Sequence, residues 1–158
     1  MRFFIDADSF PALCRAVICR AAAKRKMEAI FIARMAPQIP KAKLFHFIKA
    51  GDDPDAADDL IVELAQEGDM VFTRDIPLAA RLVELGILVL NDRGTVFTKE
   101  NIGPRLSERD FMAEMRASGL AGLGGKSFGQ REVLDFANAF DRELTKRLGS
   151  VKSEPGKA

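Results

Sequence analysis

Five aspartates in this chain stand where carboxylates do chemistry. Phe3-Phe4-Ile5 runs into Asp6-Ala7-Asp8, and Met70-Val71-Phe72-Thr73 runs into Arg74-Asp75. Between them, Asp55 and Asp58 open a predicted helix. Ligands of open parallel sheets sit beyond the carboxyl ends of the strands. Carboxylates gathered there repel one another unless a cation joins them, and oxygen-only donors suit a hard cation such as Mg²⁺ or Mn²⁺. Asp6 and Asp8 are two apart, so at a strand end one aims at the site while the other caps the next helix. Asp55 and Asp58 share one side of a first helical turn. Asp59, turned by about 100°, faces solvent. If the first and fourth strands are neighbours, Asp6, Asp8, Asp58 and Asp75 converge. That cluster suits metal-assisted phosphodiester hydrolysis, in which the cation polarises the phosphate and acidifies the attacking water. Each aspartate also has a purely structural use, since Asp8 and Asp75 are good N-caps and Asp55 and Asp58 suit a helix N-terminus.

The positioning elements follow from periodicity. Residues 2–5, 29–33, 44–48, 70–73 and 87–90 read as short buried strands. Helical spacing places a helix from Phe10 to about Ala21, with Pro11 in its first turn and Asp8 or Ser9 as N-cap. Further helices span Asp55 to Gln66, Ile76 to Leu85 (capped by Asp75), Lys99 to Ser118, and a stretch to about Leu148 opened by a capping box at Ser127–Gln130. The alternation gives an α/β fold of three layers, α/β/α, with a mainly parallel sheet of about five strands plus C-terminal helices. Residues 1–148 form one domain; Gly119 to Gly125 is a linker, and 149–158 is expected to be a disordered tail.

Composition narrows the function. The 158 residues hold 24 basic and 23 acidic side chains, so any basic surface is local. There is no membrane-spanning run and no signal-peptide pattern, which makes the cytoplasm the expected compartment. Cys14 and Cys19 read as reduced core thiols, and His46, the one histidine, as a structural residue of an apolar strand. A zinc site or a His-dependent triad therefore lacks its parts. Gly122 to Ser127 fails the P-loop pattern, because Leu120 stands where the first glycine belongs and a helix precedes the segment. Of the arginines, Arg93 follows the fifth strand and is the candidate phosphate ligand. Solvated helix faces account for most of the other arginines, which gather near strand ends and in the C-terminal half.

The chain resembles the YaiI/YqxD family of uncharacterised bacterial proteins. The resemblance rests on Asp6-Ala7-Asp8-Ser9-Phe10-Pro11, Asp55-Ala56-Ala57-Asp58, the run from Gly68 to Ala79, Asn91-Asp92-Arg93-Gly94, Arg109 to Met112 and Ser127 to Arg131. It covers about residues 1–148. Phe10 stands where relatives usually carry Cys, which argues against a catalytic cysteine, and the Asp55 segment is one residue longer than in relatives. The family's fold resembles that of PIN-like nucleases, whose strand-end acids hold Mg²⁺ or Mn²⁺. By that likeness the expectation is a metal-dependent nuclease acting on RNA, with Asp6, Asp58 and Asp75 as catalytic metal ligands and Asp8 and Asp55 as supporting ones. The alternative is a non-catalytic RNA- or protein-binding module that keeps an acidic pocket. A phosphatase of the haloacid dehalogenase type is disfavoured, since Phe10 replaces its Thr or Val and Asp58-Asp59 precede Thr73 rather than follow it.

Overall fold

The sequence alternates apolar side chains along short strands, and each strand feeds one residue set to each face of the sheet. In a computed structural model describing residues 1–119 and 128–153 (side chains to 149), the elements run β1 (Phe3–Asp6), α1 (Ala12–Arg25), β2 (Ala29–Ala33), β3 (Phe45–Lys49), α2 (Ala56–Leu64), β4 (Met70–Phe72), α3 (Ile76–Glu84), β5 (Leu88–Leu90), β6 (Val96–Phe97), α4 (Lys99–Ala117) and α5 (Gln130–Ser153). The sheet order is β3-β2-β1-β4-β5-β6. The first five strands are parallel, and β6 pairs antiparallel with β5.

The two faces bury separate cores. Phe3, Ile5, Phe31, Met70, Phe72 and Leu90 pack under α1 and α5. Phe4, Ile30, Ile32, Val71 and Val89 pack under α2, α3 and the start of α4. This period-two division makes the three layers. Phe10 is fully buried, with its ring 5.4 Å from Phe136 and 6.1 Å from Phe72. It therefore locks the chain after β1 onto α5 through edge-on aromatic contacts.

Several elements differ from the sequence reading. The sheet has six strands rather than about five; β6 has two residues, too few for a periodicity signal. It is folded back by a turn in which the Asn91 carboxamide oxygen accepts from the Arg93 and Thr95 N–H groups. Gly94 makes that turn possible. Its φ is +84°, and a Cβ there would meet the Asp135 carbonyl at 2.7 Å. Helix α1 starts on Pro11, with no side-chain cap, because Asp8 and Ser9 turn toward the strand ends instead. His46 lies on an edge strand, half exposed and 3.1 Å from Glu28, not in an apolar one. Helix α5 continues past Leu148 to Ser153, so the expected tail is helical at its start; Gly149 in a helix costs only about 1 kcal/mol relative to Ala. The linker and the P-loop-like segment from 120 to 127, and residues 154–158, lie outside the described residues.

Candidate functional site

Strand order reverses between β1 and β4, since connections run to β2 and β3 on one side and to β5 on the other. At such a switch point the loops diverge and leave a crevice at the carboxyl ends. A cleft of about 1060 Å³ opens there, lined by Asp6, Asp8, Asp58 and Asp75 together with Arg34, Lys49 and Arg74.

Asp6 is the floor. It shares a sheet face with Phe4, toward α2, and it is buried. Its Oδ2 accepts from the Thr73 hydroxyl at 2.7 Å and from the Ser9 hydroxyl at 3.0 Å. Thr73 Oγ1 in turn accepts from the Asp75 N–H at 3.0 Å, tying the two strand ends together. Asp75 Oδ1 caps α3 by accepting from the Leu78 N–H at 2.9 Å, as the sequence indicated. Asp8 is exposed at the mouth and accepts from the Arg34 N–H at 2.9 Å. Asp58, in the first turn of α2, faces Asp6 and Asp75 electrostatically, whereas Asp59 points outward to Arg81 at 2.9 Å.

The electrostatics identify which carboxylates are uncompensated. Burial is the main cause holding the Asp6 carboxyl above the usual range; Asp75 and Asp8 add to it, and the Thr73 and Ser9 hydrogen bonds oppose it. Asp58 is pushed up to about 6 by desolvation first, then by Asp75, Asp6 and Asp55, with Arg81 opposing. The buried carboxylate at the amino ends of the central strands, Asp69, behaves differently. Asp69 accepts from the Arg2 N–H and guanidinium at 2.9 and 2.8 Å and from the Gln66 N–H at 2.9 Å. That group is fully satisfied and structural. The carboxylates at the cleft repel one another and would be relieved by a cation.

An oxygen-only set with two hydroxyls fits Mg²⁺ or Mn²⁺ in donor chemistry. Among the described residues, however, no three acidic, His or Cys side chains stand as a ready-made ligand group. Asp6 and Asp75 each have one oxygen already engaged. A cation here would be held by one or two carboxylates and otherwise through water, which is the usual habit of Mg²⁺.

Asp6, Asp8, Asp58 and Asp75 are thus brought to one cleft. Asp55 sits at the N-cap position of α2 without capping through its side chain; it is exposed and acts on Asp58 only through its charge. Arg93 is placed elsewhere. Its guanidinium lies 3.8 Å from Glu132 and 5.8 Å from the Phe128 ring centroid, against α5. The cations at the cleft are Arg34, Lys49 and Arg74. The strand-end rule that found the acids would also have found them, since they end or follow β2, β3 and β4. Arg74 is steered by Asp92, which is buried and 3.2 Å from its Nε, although the pair is too misaligned for a hydrogen bond.

No helix among the described residues is long and apolar enough to cross a membrane. Residues 4–146 match the family described as "Uncharacterized BCR, YaiI/YqxD family". The chain is similar to a UPF0178 protein of Myxococcus xanthus, with 43% identity over 155 residues, covering 98% of this chain and 99% of the relative. A UPF0178 protein of Desulfotalea psychrophila is 42% identical over 146 residues, 92% of this chain and 99% of that one. One from Treponema denticola is 43% identical over 148 residues, 94% of each. No solved structure matches. By sequence along nearly its whole length, the chain belongs to the YaiI/YqxD family.

Proposed function

We propose that the cleft is the active site of a Mg²⁺- or Mn²⁺-dependent phosphodiesterase acting on RNA. The observation that carries this reading is the pairing, in one cleft at the strand switch point, of uncompensated carboxylates on the floor with cations around the mouth. Anionic substrates are repelled by acids alone, and cations alone would not need acids beneath them. The combination suits a phosphate drawn in by Arg34, Lys49 and Arg74 and handled at an acidic centre. The likeness of the strand-end acids to those of PIN-like nucleases points the same way.

Asp6 and Asp75 would hold the cation, with Asp8 near the mouth as a supporting group. The bound cation supplies charge neutralisation at the phosphate and lowers the pKa of the attacking water. Asp58 takes up the water's proton at its carboxylate, because a group held near 6 is poised to exchange protons close to neutral pH. Thr73 and Ser9 fix the orientation of Asp6. The absence of a ready-made ligand trio among the described residues favours a second reading, a binding module that keeps an acidic pocket. Turnover separates the two. Wild-type protein with Mn²⁺ should cleave RNA, and Asp58→Asn should abolish cleavage while leaving the fold intact. Wild-type protein that cleaves no RNA, DNA or nucleotide diester with either metal would leave the binding module.

A further inference from the structure

We infer that the α1 side of the sheet carries a second ligand site, a cavity between α1 and the chain leading into β3, which takes a small monocarboxylate with an apolar body. The inference does not rest on the proposed function, since the cavity and the acidic cleft share no residue. The cavity measures about 340 Å³. Helix α1 presents Ala12, Ala16, Cys19 and Ala23 to it, and steps of four, three and four residues put them on one helical face. Pro40 and Phe45 form the opposite wall. The three alanines are exposed, so the hollow exists because their side chains stop at a methyl group. Small-molecule sites occupy roughly 300–1,000 Å³. This one lies at the lower end, which suits a single ring or a short chain rather than a nucleotide or a long lipid.

The charge of the ligand follows from two arginines in the lining, Arg15 and Arg20. Arg15 is half-buried, and its Nη1 donates to the Phe10 carbonyl at 2.6 Å and to the Ala7 carbonyl at 3.4 Å. Its Nε is buried with no acceptor. Neither arginine is in an ion pair among the described residues, and no carboxylate among them lines the cavity. A guanidinium drawn out of water without a counter-charge is costly, and an incoming anion relieves that cost. Both charges act on the Cys19 thiol in the wall, where they oppose the rise that its burial causes, so they converge on this cavity. Gln38 adds one neutral amide. Two cations and an amide in an otherwise apolar hollow match one carboxylate on an apolar body.

The test titrates 4-phenylbutyrate and octanoate into the full chain and follows amide NMR shifts and the thermal midpoint. Both acids should bind saturably at one site, move the amides of α1 and of residues 38–45, and raise the midpoint by mass action. 4-Phenylbutanol, which has the same ring and chain but no charge, should bind at least about tenfold more weakly, the worth of one charge-assisted hydrogen bond. Arg20→Gln should remove about that factor for the acid and leave the alcohol unchanged. Ala16→Leu should abolish binding of both, because its side chain fills the hollow; both substitutions fall at exposed positions, so the fold is kept. The Asp6→Asn/Asp75→Asn double variant should bind the acids as wild type does, whatever the cleavage assay gives. No saturable binding of either acid, equal affinity for acid and alcohol, or undiminished binding to Ala16→Leu would overturn the site.

Discussion

Replacing Asp58 with Asn should make the cation-free protein more stable at neutral pH. The Asp58 carboxyl is raised from 3.8 to about 6 in the folded state. Fully buried, a rise of that size would be worth about 3 kcal/mol at 1.36 kcal/mol per unit. Asp58 is only half-buried, so solvent screening cuts this to about 1.5 kcal/mol. Its charge also favours the N-terminus of α2 by about 0.5 kcal/mol, which the amide would lose. The net gain is about 1 kcal/mol. The sign follows from linkage. A raised acid binds more protons folded than unfolded between 3.8 and about 6, so stability falls as pH rises through that window. The gain from Asp58→Asn should therefore be full above it and vanish below it. Urea unfolding with a chelator, at neutral pH and on the acid side of the window, reads this as a midpoint shift of about 0.5 M at neutral pH only. A variant less stable than wild type at neutral pH, or a difference that ignores pH, would show that Asp58 is a structural helix-terminus residue and refute the reasoning.

Removing the compensated carboxylate should act in the opposite direction. Asp69→Ala strands Arg2 and the Gln66 N–H and should cost about 2–4 kcal/mol, with or without metal, in the same urea experiment. Gly94→Ala should cost about 2 kcal/mol or more in thermal unfolding, since φ is +84° and the new Cβ meets the Asp135 carbonyl. Burial pushes the Cys14 thiol up to about 12, so native protein should resist iodoacetamide at Cys14 at neutral pH and react only when urea unfolds it; mass spectrometry of the labelled peptide decides.

How much of this was legible beforehand differs by element. Strands β1, β2 and β4 announce themselves because both faces are buried, which leaves unbroken apolar runs such as Ala29–Ala33. The acids at their ends follow from the strand-end rule, and the N-cap role of Asp75 was readable from its position before Pro77. Strand β6 was not readable, because its pairing is set by the Asn91 turn and Gly94 rather than by any pattern of its own. His46 is half exposed because β3, apolar in sequence, is an edge strand and buries little. The role of Thr73 depends on a contact with Asp6 from far along the sequence, and that of Ser9 on the local turn that follows β1. Arg93 and Arg74 illustrate the same limit. Both follow strands, but the packing of α5 draws Arg93 to Glu132 and Phe128, whereas buried Asp92 holds Arg74 at the cleft.

The central claim is that Asp6 and Asp75 form a cation site beside the Asp58 carboxylate. Calorimetric titration of Mn²⁺ into the metal-free protein tests it most directly. The account predicts saturable binding to wild type, with proton release that grows as the buffer is taken down toward the Asp58 pKa of about 6. It predicts loss of that binding in the Asp6→Asn/Asp75→Asn double variant. Absence of saturable binding to wild type, or the same binding in the double variant, would contradict it.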